Sequence, residues 1–202
     1  MPGDGYSDAD IEVLEFDESV IRWPGMYFGV SLDDPRLPTS IVRVVVDHAV
    51  HPAPHLAAPH RTVVEVEILG DLSFSITDDR FCSAERCRVP EHGYFGSLLG
   101  PDRWSSAAAA ALSRRTVVEV WQDGRGLRQE LAGMRPAGPP RHFTAPLGRG
   151  TTVMIELDPD HLGAGATIGT DLDALGRCHG DDCVAEVLRG VTVKDRRGEL
   201  AE

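Results

Sequence analysis

Val44, His48 and His51 follow one another at spacings of four and three, so on a helix they share one face. An imidazole placed there is suited to proton transfer near neutral pH or to holding a transition metal, and equally to a plain structural role. Asp78 and Asp79 close an alternating apolar run, where a carboxylate either accepts hydrogen bonds from a ligand or is simply solvated at a strand end. Gly100 to Ser105 puts Asp102 and Arg103 just before a run of alanines. Four cysteines form two pairs of equal spacing, Cys82 with Cys87 and Cys178 with Cys183, the second enclosing His179. That spacing is allowed for zinc, but nothing in the sequence brings the pairs together, so reduced thiols and no bound metal are expected.

Those residues must be carried by elements that the pattern of apolar residues and breakers outlines. A short helix is expected over Glu18 to Trp23, capped by Asp17 and broken by Pro24-Gly25, with an apolar segment, Met26 to Val30, packed against it. A second helix runs from Thr39 or Ser40 to about His51, where Pro52 and Pro54 end it. Strands are expected at Val63 to Leu69 and Leu72 to Thr77, joined by Gly70-Asp71. Further strands are expected at Thr116 to Trp121 and Leu127 to Leu131, joined by Asp123-Gly124, then at Thr151 to Leu157 and Val191 to Lys194. Between the two hairpins, Ser105 to Leu112 contains five consecutive alanines and reads as a closely packing helix. The segment 132–150, rich in Pro, Gly and Arg, reads as a surface loop. Helices alternating irregularly with hairpins indicate an α+β two-layer sandwich, with a mixed, mostly antiparallel sheet and helices on one face.

The 202 residues suit one domain. A net charge of −12 with a single lysine, Lys194, disfavours direct nucleic-acid binding, which relies on clustered cations. The acidic N-terminus and the lack of a long apolar run point to a cytoplasmic protein without a membrane span.

Read in order, these segments bring a family into view. Trp23-Pro24-Gly25-Met26-Tyr27-Phe28-Gly29 departs at two places from the Arg-Pro-Gly-Met-Tyr-Ile-Gly signature that opens the ATPase domains of gyrase B and topoisomerase IV. VVVDHAV (44–50), LSFSITDD (72–79), AALSRRTVVEVWQDGRGLRQEL (110–131), GRGTTVMIELDP (148–159) and GVTVKDRRGE (190–199) follow in that family's order. The chain thus resembles a gyrase B-type ATPase domain over nearly its whole length. The resemblance implies the Bergerat (GHKL) fold and an N-terminal arm over residues 1–17 in which Tyr6 reaches a partner copy; within the 202 residues one such domain and no transducer domain are expected.

The same resemblance places the departures. Val44 stands where the family has the glutamate that activates water, and His48 where an asparagine holds magnesium. Valine cannot take a proton, and magnesium prefers oxygen donors. Asp78, the counterpart of the adenine-binding aspartate, is followed by Arg80, Phe81 and Cys82 in place of glycines. The phosphate loop keeps only Gly100; Pro101 lacks a donor, Asp102 brings a negative charge, and Arg103 only partly compensates. Thr151 matches the threonine behind the aspartate, and Arg128 an arginine beneath the pocket. The expected ligand site is lined by Val44, Val45, His48, His51, Ile76, Asp78, Cys82, Gly100, Arg103, Thr151 and Val153, with neither ATP nor magnesium as cofactor. The leading expectation is a domain that no longer hydrolyses ATP and binds another small molecule or partner there. One alternative is an enzyme of different chemistry, in bacterial specialised metabolism, using His48 and Asp78 as acid–base or electrostatic groups. The other is a regulator that pairs with gyrase. A homodimer through the arm is also expected.

Overall fold

The computed structural model describes residues 13–50, 63–80, 94–169 and 190–199. Helix α1 (Phe16–Arg22) begins two residues before the expected start, because Glu15 and not Asp17 caps it; the Glu15 N–H donates to the Glu18 carboxylate at 2.9 Å. Pro24 does not end the helical stretch. It opens a second helix, α2 (Pro24–Phe28), since a proline at the first helical position gives up only a donor that would be unpaired there. Gly29, at φ 75°, closes α2 in the left-handed conformation that a side chain resists. Helix α3 (Leu37–Val50) starts ahead of Thr39, whose hydroxyl accepts the Gly169 N–H at 2.7 Å and so ties the helix start to a distant segment.

The hairpin β1 (Val64–Gly70) and β2 (Ser73–Asp78) is followed by helix α4 (Trp104–Ala111). Next come β3 (Ser113–Gln122) and β4 (Arg125–Ala132), joined through Asp123 at φ 49° and Gly124 at φ 83°, two successive positive-φ residues of the kind a tight hairpin turn uses. The segment expected to be only a loop contributes two short strands, β5 (Arg135–Pro136) and β6 (Arg141–Thr144). Both add to the free edge of β4, and their shortness, with Pro136 in β5, hides them from periodicity. Strand β7 (Arg149–Leu157) inserts between β3 and β2, and β8 (Val191–Asp195) runs parallel to β1.

The sheet order is β5-β4-β3-β7-β2-β1-β8, with β6 beside β4. All pairings among the described strands other than β1–β8 are antiparallel. The fold is therefore α+β, a mixed and mostly antiparallel sheet packed against helices. Alternate residues Val64, Val66 and Ile68, with Phe74, Ile76, Val118, Val120, Val153 and Ile155, are buried in one core with α3 and α4. Burying a residue of this size stabilises by roughly 1.5–3 kcal/mol, so the sheet's helix-covered face dominates the stability. Ala107 to Ala110 are fully buried; their small side chains let α4 lie close on the sheet. The opposite face carries ion pairs such as Arg115–Glu130 and Arg128–Glu119. No helix among the described residues is long and apolar enough to cross a membrane.

Candidate functional site

Strand β2 ends on Asp78, in register with Thr151 of β7, which puts both side chains on the helix-covered face. Asp78 is 2% exposed, and an unpaired carboxylate there would be strongly disfavoured. Its partner comes from the N-cap of α4. A turn closed by the Arg103 N–H donating to the Gly100 carbonyl at 2.9 Å aims Arg103 back over the strand ends. Arg103 Nη1 and Nη2 donate to Oδ2 and Oδ1 of Asp78, each at 2.8 Å, a two-pronged guanidinium–carboxylate clasp. Oδ1 also accepts the Arg80 N–H at 3.1 Å, and the Arg80 guanidinium stands 3.6 Å from Oδ2. Both carboxylate oxygens are thus engaged from within the chain.

Thr151 supports this arrangement through the backbone. Its hydroxyl donates to the Arg80 carbonyl at 2.9 Å, and Arg103 Nη2 approaches the same oxygen at 3.4 Å. Gly150 is required beside it: a Cβ there would run into the Trp121 ring and come within 2.9 Å of the Asp78 carbonyl. His48, late in α3, presents its ring edge-on to Trp104 at 5.3 Å between centroids. Trp104 follows Arg103 directly, so one turn of chain places both the cation and the aromatic wall of the site.

The electrostatics follow from burial and from two cations against one anion. Burial lowers the His48 pKa to about 4, and the Arg80 and Arg103 charges push it the same way, so the ring is neutral at pH 7. For Asp78, burial acts to raise the pKa, but the Arg103 charge and hydrogen bonds and the Arg80 charge outweigh it, leaving the carboxyl below its ordinary value. Burial pulls the Arg80 guanidinium below its usual value while Asp78 holds it up, and it remains charged. Arg80 Nε is buried without a hydrogen-bond partner among the described residues, as is the Ser105 hydroxyl at the start of α4.

Of the side chains expected at the site, His48, Asp78, Arg103 and Thr151 come together, with Gly100 forming the turn that delivers Arg103. Val45, Ile76 and Val153 lie in the core beneath, and Val44 packs partly buried against it. His51, Cys82 and the other cysteines, and Tyr6 with residues 1–12 of the arm, lie outside the described residues, while Phe16 and Asp17 at the arm's expected end belong to α1. Arg128 does not lie beneath the site. Its position on β4 opposite Glu119 turns it to the outer face, where the two pair at 2.5 Å. From its place in the sequence Arg103 reads as a phosphate-loop cation, whereas in the structure it clasps Asp78 and its neighbour Trp104 stands against His48. The signal available was a cation beside an aromatic residue in a loop that should be glycine-rich. Among the described residues no three His, Cys, Asp or Glu side chains converge as metal ligands.

No family model matches the chain. It is 29% identical over 188 residues to the B-subunit of DNA topoisomerase 4 from Caulobacter vibrioides, an alignment that takes in 81% of this chain and 26% of that protein. Its fold matches the crystal structure of the B-subunit of DNA gyrase from Myxococcus xanthus with a TM-score of 0.60 and 22% identity, over 90% of this chain and 53% of the other. The chain spans about a quarter of the first relative and about half of the second. These likenesses agree with the order of the segments and with the sheet: the chain is a gyrase B-like relative of the topoisomerase ATPase domains and carries their two-layer α+β fold.

Proposed function

We propose that this domain does not hydrolyse ATP and serves as a binding module, its inherited nucleotide site turned over to a different small molecule or partner. The observation that carries the reading is the clasp: Asp78, where the family's aspartate receives the adenine amino group, has both oxygens taken by Arg103 and Arg80. An adenine amine would have to displace a charge-assisted, buried, two-pronged contact with a single neutral hydrogen bond, an exchange that loses free energy. Val44 offers no base for water, Pro101 removes a backbone donor from the phosphate loop, and Asp102 adds a negative charge there. What the site presents is guanidinium donors, Arg80 Nε among them, so a ligand offering an acidic or carbonyl oxygen suits it better than adenine.

The enzyme alternative draws less support from the same geometry. A neutral His48 titrating at about pH 4 and a clasped Asp78 form a poor acid–base couple at neutral pH. The test is steady-state phosphate release from ATP with magnesium. The expected result is no turnover above buffer; turnover that the variant Asp78→Asn abolishes overturns the proposal.

A further inference from the structure

A second pair of arginines stands on the other face of the sheet. Arg128 on β4 and Arg141 on β6 are directly opposite in register and together line a cleft of about 270 Å³ with Glu130, Ala137, Gly138 and Pro139. Like charges directly opposed across strands, with Cβ atoms roughly 5 Å apart, repel, and solvent at this open edge weakens that repulsion without removing it. Two carboxylates stand nearby, each with a closer arginine partner, and the charges of Arg128 and Arg141 also act on Glu130 in the cleft wall. Glu119 holds Arg128, and Glu130 takes Arg115 at 2.7 Å. Arg141 has no ion pair among the described residues.

The cleft is built and not merely a gap between side chains. The Ala137 N–H donates to the Glu130 carbonyl at 2.9 Å and Gln129 Nε2 to the Gly138 carbonyl at 3.0 Å, pinning the 137–139 wall to β4. Phe143 lies on Gly126, where any Cβ would run into its ring, and this holds β6, and so Arg141, in register. The surrounding charge is also at odds with the chain. From Arg125 to Arg149 there are five arginines and one acidic residue, in a protein of net charge −12. In space Arg135 pairs with Glu15 and Asp17, and Arg128 with Glu119, so the cation that the cleft offers most directly is Arg141.

The geometry points to an oxyanion-binding site between Arg128 and Arg141, for a small molecule bearing a phosphate or carboxylate group. Paired guanidinium forks match the planar oxygens of either group. The volume admits a small anion and not a folded partner. This site is separate from the Asp78–Arg103 clasp, so its failure leaves the reading of that clasp intact.

Isothermal titration in low-salt buffer tests it, with inorganic phosphate in one arm and succinate in the other. Saturable binding is expected, weakened about 10-fold or more by Arg141→Gln and by Arg128→Gln, and unchanged by Arg22→Gln on α1. Tighter binding of phosphate assigns a phosphate-bearing ligand, and tighter binding of succinate a carboxylate. Arg141 is exposed, so its variant is expected to keep the wild-type melting temperature, which is checked alongside. No saturable binding of either anion, or equal binding by wild type and Arg141→Gln, overturns the proposal.

Discussion

The molecule brings two arginines together at two places, and burial separates the outcomes. At the helix-covered end of β2 and β7, Arg80 and Arg103 close on Asp78 where solvent is excluded, and the carboxylate is consumed by the fold. At the open edge of β4 and β6, Arg128 and Arg141 line a cleft where water screens their repulsion and where the Arg128–Glu119 pair is half exposed. The same residue type is thus consumed by the fold in one place, while in the other Arg141 has no ion pair among the described residues. A buried charge must find a partner within the chain, while an exposed one costs little to leave open.

The contrast is sharpest in a pair of substitutions. Asp78→Asn strands two buried guanidinium groups without a counter-charge and is expected to destabilise by about 3–5 kcal/mol, read as a shift in urea midpoint at unchanged m-value. Arg128→Gln, which removes one side of a surface pair, is expected to cost less than about 1 kcal/mol in the same assay. Equal effects would break the comparison, because the clasp would then be no more demanding than a surface contact.

A smaller effect follows from pH. His48 has its folded pKa lowered to about 4, below its ordinary value near 6.5, so the unfolded chain takes up the proton first as pH falls. Its contribution is complete above pH 6.5 and is lost between there and about pH 4, on the order of 1–2 kcal/mol after discounting for solvent screening of a partly exposed ring. Asp78, with a depressed pKa, adds a further loss only below the ordinary aspartate value near 4. Urea midpoints measured from pH 7 to pH 4.5 should fall in wild type and fall less in His48→Gln; parallel curves would remove His48 from the account.

The sheet was largely legible in the chain because its strands state their pattern locally. Val64, Val66 and Ile68 alternate with polar residues, and Asp123-Gly124 supplies the turn that joins β3 to β4. Strands β5 and β6 were not legible. Two and four residues long, with Pro136 in one, they exist because β4 offers an unpaired edge, a fact of tertiary structure. The same division holds at the site. Asp78, Thr151, His48 and Arg103 were identified by their places in the family's motifs, each read singly. That Arg103 closes on Asp78, 25 residues away, depends on the turn at Gly100 and on how α4 lies against β7, which no local pattern carries. Local breakers misled in a further way: Pro24 reads as a stop, yet the geometry at Trp23 kinks the chain and lets a second helix begin.

The central claim is that the chain's own arginine occupies the carboxylate that adenine would need. Calorimetric titration of wild type, Arg103→Ala and Asp78→Asn with ATP and magnesium, and with adenosine alone, measures it directly. No saturable heat is expected from wild type or from Asp78→Asn, with adenosine binding emerging only in Arg103→Ala, where Asp78 is released from its clasp. Saturable nucleotide binding by wild type that Asp78→Asn removes would contradict the account.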